Sequence, residues 1–190
     1  MRMLNWLLPT LLIASPSPIL ADSNCDTTAS DYQSILSCIN LSLFKIDRKL
    51  NEQYQLLVRI SAPPDRTLLI SGERAWVSYR DSYCAELYDS THPGNELKLE
   101  RASCVASLTS DRLTELIYIE TGVLLDNFYA AVGAMSSASL KQRKDIIDHF
   151  QNKQVSPKGL TYIKINCELT NLVNNENLEE CTARMKFKTM

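Results

Sequence analysis

Six cysteines behind an apolar leader constrain this chain more than any other feature. They fall as three short-range couples: Cys25 with Cys38, Cys84 with Cys104, and Cys167 with Cys181. An even count in an exported chain reads as a disulfide framework rather than as reactive thiols. The spacing also carries an internal echo. Cys84 opens Cys-Ala-Glu-Leu and Cys104 opens Cys-Val-Ala-Ser-Leu, while Cys167 opens Cys-Glu-Leu and Cys181 opens Cys-Thr-Ala-Arg-Met. The expectation is three local disulfides and a helix–disulfide–helix unit that occurs twice, the second time in degenerate form.

The leader supports export. Arg2 gives a short basic start, and Trp6, Leu7, Leu8, Leu11, Leu12 and Ile13 form an apolar run too short to span a bilayer. Ser15-Pro-Ser-Pro18 breaks it, and Ala21 supplies a small residue at the cut. Residues 1–21 are therefore read as a signal peptide cleaved after Ala21. Cys25 follows Asp22-Ser-Asn24, which is not the context of a lipid-modified cysteine. The expected product is soluble, periplasmic or secreted, with no membrane association after cleavage. Loss of Arg2 leaves a net charge of about −3, which disfavours nucleic acid as a partner.

Helix signals dominate, with only five glycines in the chain. Ser30-Asp31 reads as an N-cap. Ile35, Ile39, Leu43, Ile46, Leu50, Tyr54 and Leu57 then recur at steps of three or four, the period of one helical face. Cys38 lies on this helix, so Cys25 must fold back to reach it. The run stops before Pro63-Pro64, because a residue preceding proline avoids helical backbone. A second helix is expected from about Asp65 to Asp89, with Leu69, Trp76, Tyr79, Tyr83 and Leu87 inward and Gly72 inside it. Ser90 to Asn95 is a turn by composition. A third helix follows from about Glu96 to Ile119, and Cys84–Cys104 would tie the antiparallel pair.

Beyond Gly122, Leu124 to Tyr129 suggests a short helix or a buried strand, and Ala134 to Ser139 a loop. Leu140 to Phe150 fits a helix, Val155 to Gly159 a break. Two helices, about Tyr162 to Val173 and Glu176 to Lys186, close the chain as a hairpin clipped by Cys167–Cys181. The fold class is all-α: a disulfide-stapled helical bundle over residues 22–120, with a helical extension over 121–190 that includes the degenerate repeat.

Catalytic constellations are missing from this sequence. His92 and His149 are its only histidines and fall on different elements. No metal cluster, glycine-rich phosphate loop, nucleophile elbow or Cys-x-x-Cys is present, so neither an enzyme nor a cofactor is expected. Asn40-Leu-Ser42 is formally a glycosylation sequon but lies within a predicted helix.

Glu73-Arg-Ala-Trp-Val-Ser-Tyr-Arg-Asp-Ser-Tyr-Cys84 resembles the signature of the LprI-like lysozyme-inhibitor family. Asp47, Leu50-Asn51, Tyr54 and Leu57 resemble its first-helix pattern, downstream of a cysteine pair matching Cys25 and Cys38. Cys104, Leu108-Thr109, Arg112 and Leu116 resemble its third-helix pattern. The resemblance covers about residues 25–116 and implies an exported helical domain, and in some members inhibition of lysozyme. Glu73 stands where Gln is usual, Gly72 where Ala is usual, and the lipid-modified cysteine of the anchored form is missing.

Physical reasoning makes much of that signature structural. Trp76, Tyr79, Arg80 and Tyr83 share one helical face, and Asp47, Asn51 and Tyr54 share another. An inter-helix network is expected, with Arg80 paired to Asp47, Asp81 alongside, and the aromatics in the core. The expected function is binding: occlusion of the cleft of a lysozyme-type peptidoglycan hydrolase or another cell-wall-directed enzyme. The alternative is a periplasmic immunity protein against a different envelope-targeting toxin. The expected contact surface is the loop spanning residues 89–96, with Asp89, His92 and Glu96, held at its base by Cys84–Cys104.

Overall fold

The protein is described here by a computed structural model covering residue 25 and residues 31–86, 94–124, 127–138 and 140–188. Seven helices make up the regular structure of the described residues. Helix α1 (Tyr32–Ile60) starts at the cap expected from sequence: the Asp31 carboxylate accepts the Ser34 N–H at 3.0 Å. Its last turn closes with the Ser61 N–H donating to Leu57 O. Pro63 and Pro64 then open α2 (Pro63–Glu86), in the first turn, where a missing N–H costs nothing. The same proline pair thus ends one helix and starts the next.

Helix α3 (Asn95–Thr121) ends at Gly122, whose φ of 69° lies in the left-handed region and whose N–H donates to Tyr118 O. The chain continues through α4 (Phe128–Ser137), α5 (Arg143–Gln151), α6 (Pro157–Asn174) and α7 (Leu178–Lys188). Two expectations are corrected here. Residues 134–137, read as loop from their small side chains, belong to α4, because Phe128 and Val132 anchor that helix in a core. The break expected at Val155–Gly159 is shorter: Ser156 caps α6 by accepting the Gly159 N–H, and Pro157 sits in its first turn.

Two successive reversals leave α1 and α3 parallel and side by side. Ile35 and Ile39 lie beside Leu99 and Ser103, and eighteen residues up the helix Gln53 donates to Glu120 at 2.6 Å. Helix α6 runs antiparallel to α2. The Tyr79 and Tyr162 rings stack at 5.9 Å, and Gly72 faces Ile165. The main core joins Leu50, Leu57, Leu69, Trp76, Leu116, Ile163, Leu169 and Met185, so it draws on α1, α2, α3, α6 and α7 together. A second cluster, with Phe128, Val132, Ile146, Ile147 and Ala183, binds α4 and α5 to α7.

Two disulfides form as expected, Cys84–Cys104 with Cα atoms 5.8 Å apart and Cys167–Cys181 at 5.7 Å. Each links helices that already pack on one another. The third expectation is corrected: Cys25 and Cys38 are not joined to each other in the structure. Cys38 is on α1, whereas Cys25 precedes the Asp31 cap and lies outside any helix, so no helix backbone sets its distance from Cys38. The expected cleavage site after Ala21 lies outside the described residues.

Candidate functional site

The signature helix α2 turns its aromatic face inward. Trp76 and Tyr79 are buried, at offsets that put them on one stripe of α2. Arg80 does not reach α1. Its guanidinium lies 4.8 Å from the Trp76 ring centroid, and its Nε donates to the neighbouring Asp81 carboxylate at 2.9 Å. The expected Arg80–Asp47 pair is thus replaced by Arg80–Asp81. Asp47 instead accepts from Asn51 Nδ2 at 3.0 Å, within its own helix. The reason is tertiary: α1 packs along α3 and only lightly against α2. Tyr54 packs against the main core, and partial burial raises its hydroxyl pKa.

The inter-helix charge network exists, but other residues build it. Arg112 on α3 has a fully buried side chain. Its Nε donates to Glu73 of α2 at 2.9 Å and its Nη1 to Asn166 Oδ1 of α6 at 2.8 Å. Asn166 Nδ2 in turn donates to Glu115 at 2.7 Å. Arg184 of α7 binds both oxygens of Glu115, at 2.7 and 2.8 Å, and both oxygens of Glu176, at 2.8 and 3.0 Å. These are bidentate, charge-assisted contacts, the strong class of protein hydrogen bonds. Arg184 also lies over the Tyr118 ring, and Tyr129 of α4 donates to Glu176 at 3.1 Å.

Burial by itself would push the Glu115 carboxyl up, but Arg184 and Lys188 beside it, and the Asn166 amide, hold it well below the usual carboxylate range. Burial pushes the Tyr162 hydroxyl up to about 12. Of this network only Arg112 and Glu73 are singled out by sequence. Glu115, Asn166 and Arg184 carry no local signal beyond being polar residues at inward helical positions, and Glu176 lies in the short connection between α6 and α7.

One side of the network opens on a small cleft bordered by Trp76, Tyr79, Arg112, Tyr162, Met185 and Lys188. Two deeply buried polar atoms at this junction, Tyr79 Oη and Arg112 Nη2, have no hydrogen-bond partner. The arrangement is that of a rigid, charge-neutralised scaffold. Among the described residues no group of three His, Cys, Asp or Glu side chains is placed to hold a metal ion, and no helix is long and apolar enough to cross a membrane.

Of the residues expected to touch a partner, Asp89 and His92 lie outside the described residues. Glu96 is exposed in the first turn of α3, two turns before the Cys104 end of the Cys84–Cys104 bond. The Cys84–Cys104 bond ties the last turn of α2 to the third turn of α3.

No curated protein and no solved structure matches this chain. The stretch that holds α1, the Trp76–Cys84 helix and most of α3 is nevertheless recognisable as a unit: residues 25–116 match the family described as Lysozyme inhibitor LprI.

Proposed function

We propose that the protein is an exported inhibitor of lysozyme-type peptidoglycan hydrolases that acts by occluding the substrate cleft. The observation that carries this reading is the match of residues 25–116 to the lysozyme-inhibitor family. Its physical complement is a bundle stiffened by two disulfides and a buried ionic network, a scaffold suited to presenting a surface with little entropy to lose on binding. The contact surface in this reading is the stretch 89–96, with Asp89 and His92 before α3 and Glu96 in its first turn. Its two carboxylates favour cationic groups at the rim of a muramidase cleft, and mild overall acidity speeds association with a basic enzyme at low salt.

The test is clearance of a peptidoglycan suspension by several lysozyme classes, with and without the oxidised mature protein. Stoichiometric inhibition without turnover of peptidoglycan is expected, weakening as salt rises. If none of the enzymes is inhibited at micromolar protein, the proposal fails. Replacing Asp89, His92 and Glu96 together by alanine locates the surface: lost affinity at unchanged melting temperature supports the loop, and unchanged affinity removes it.

A further inference from the structure

The two disulfides sit in very different surroundings. Cys167 and Cys181 belong to the main core and are 2% and 0% exposed. Thr170 Oγ1 lies 3.4 Å from Cys181 Sγ, and Arg184 Nη2 donates to the same sulfur at 3.8 Å. Thr170 and Arg184 are themselves completely buried, so reaching that bond from water requires the α6–α7 hairpin to open. Cys84–Cys104 is one-sided. Cys84 is 1% exposed, whereas Cys104 is partly exposed and stands on the wall of an open groove between α1 and α3, with Ile35, Ile39, Leu99 and Ser103. The cause is positional. The buried residues of α1 are Leu50 and Leu57, and those of α3 begin at Thr109, so both helices are thinly covered where Cys104 lies.

We propose that Cys84–Cys104 is a thiol–disulfide exchange site, opened at Cys104 Sγ by a dithiol arriving from the α1–α3 side, while Cys167–Cys181 stays closed. Exchange requires a thiolate to reach a disulfide sulfur, so access decides which bond reacts and which of its sulfurs is attacked. The incoming thiolate bonds to Cys104 Sγ. The Cys84–Cys104 bond breaks, and Cys84 Sγ leaves with the electron pair and takes a proton from water. The dithiol's second thiolate then attacks its own sulfur in the mixed disulfide. Cys104 leaves as a thiolate, and the dithiol is oxidised to a disulfide. The fold survives this step because other contacts still join α2 to α3. Arg112 Nε donates to Glu73 at 2.9 Å, and Leu69, Trp76 and Leu116 share the main core. Loosening is confined to the last turn of α2 and the first turns of α3. The chain thus carries one reducible staple and one permanent one.

The experiment treats the folded, oxidised protein with millimolar dithiothreitol in the absence of denaturant, stops exchange with acid at intervals, and maps the cysteine peptides. Cys84–Cys104 should open at least about tenfold faster than Cys167–Cys181, because exchange follows access. At that stage the helical signal should persist, and melting should stay cooperative at a lower temperature. A monothiol, 2-mercaptoethanol, reads the direction of attack: its mixed disulfide should be found on Cys104. The same order is expected when Cys25 and Cys38 are both replaced by serine. Opening of both bonds at one shared rate overturns the proposal, as does Cys167–Cys181 opening first. Opening of Cys84–Cys104 only together with loss of the helical signal overturns it too, because reduction then follows unfolding. An adduct on Cys84 overturns the assigned direction, and loss of selectivity in the serine variant overturns the assignment to an external dithiol.

Discussion

The two ends of α1 lie on the same helix and meet very different surroundings. Around Leu50 and Leu57 the helix belongs to a core shared by five helices, while from Tyr32 to Phe44 it leans on α3 beside an open groove. A similar contrast separates Arg80 from Arg184. Arg80 is a signature residue, yet it pairs with an exposed aspartate adjacent in sequence. Arg184 lies outside the family-matched stretch, yet it is completely buried and holds two carboxylates at once. The difference teaches that sequence prominence and energetic weight need not coincide. An exposed pair contributes little, because water and salt screen it. Removing a buried arginine that holds two carboxylates breaks both pairs at once and is strongly destabilising.

The largest test of that contrast is Arg184→Met. It removes the arginine that pairs both Glu115 and Glu176, leaving Glu115 with Lys188 at 3.3 Å and Asn166, and should cost about 3–5 kcal/mol, the usual penalty for breaking one side of a buried pair. Arg80→Ala should cost under about 1 kcal/mol, mostly through lost stacking on Trp76. Denaturant unfolding of both variants under oxidising conditions reads the difference. Equal losses would dissolve the distinction.

Acid sharpens the same comparison. The folded-state pKa of Glu115 is depressed, so its contribution to stability is fully present above the unfolded value, about 4.3. That contribution declines as pH falls below the unfolded value and is gone once pH passes through the folded value. Melting temperature should therefore drop from pH 5 toward pH 2, and Glu115→Gln should flatten that slope while lowering stability at neutral pH. A slope unchanged by Glu115→Gln would place the acid sensitivity elsewhere.

The smallest effect concerns two glycines in the packed half. A Cβ on Gly72 would meet Ile165 at 3.5 Å, ordinary contact, so Gly72→Ala should stabilise by up to about 1 kcal/mol through helix propensity. A Cβ on Gly159 would sit 2.5 Å from Val155 Cγ1 and 3.2 Å from Tyr79, so Gly159→Ala should destabilise. Thermal melts of the two variants should move in opposite directions. A stabilising Gly159→Ala would mean that the Tyr79 packing is looser than its geometry.

Much of this protein was legible before any tertiary contact. The i, i+3, i+4 recurrence from Ile35 to Leu57 predicts α1, Asp31 its start and the proline pair its end, because capping and proline sterics act within a few residues. Cys84 with Cys104 and Cys167 with Cys181 were readable from short separations on adjacent helices. The family resemblance over residues 25–116 came from contiguous motifs. Residues 134–137 were misread, since small side chains give no periodic signal and the anchors of α4, Phe128 and Val132, lie in its first half, outside that stretch.

Tertiary structure alone decided which charges meet. Arg80 and Asp47 have compatible chemistry on suitable faces, but α1 chose α3 as its neighbour, and a salt bridge forms only where the backbone brings its ends within reach. Glu115 and Arg184 lie 69 residues apart and become a buried bidentate pair when α6 and α7 close over α3. No local pattern encodes that pairing, because its stabilisation comes from desolvation and geometry that exist only after the helices have packed.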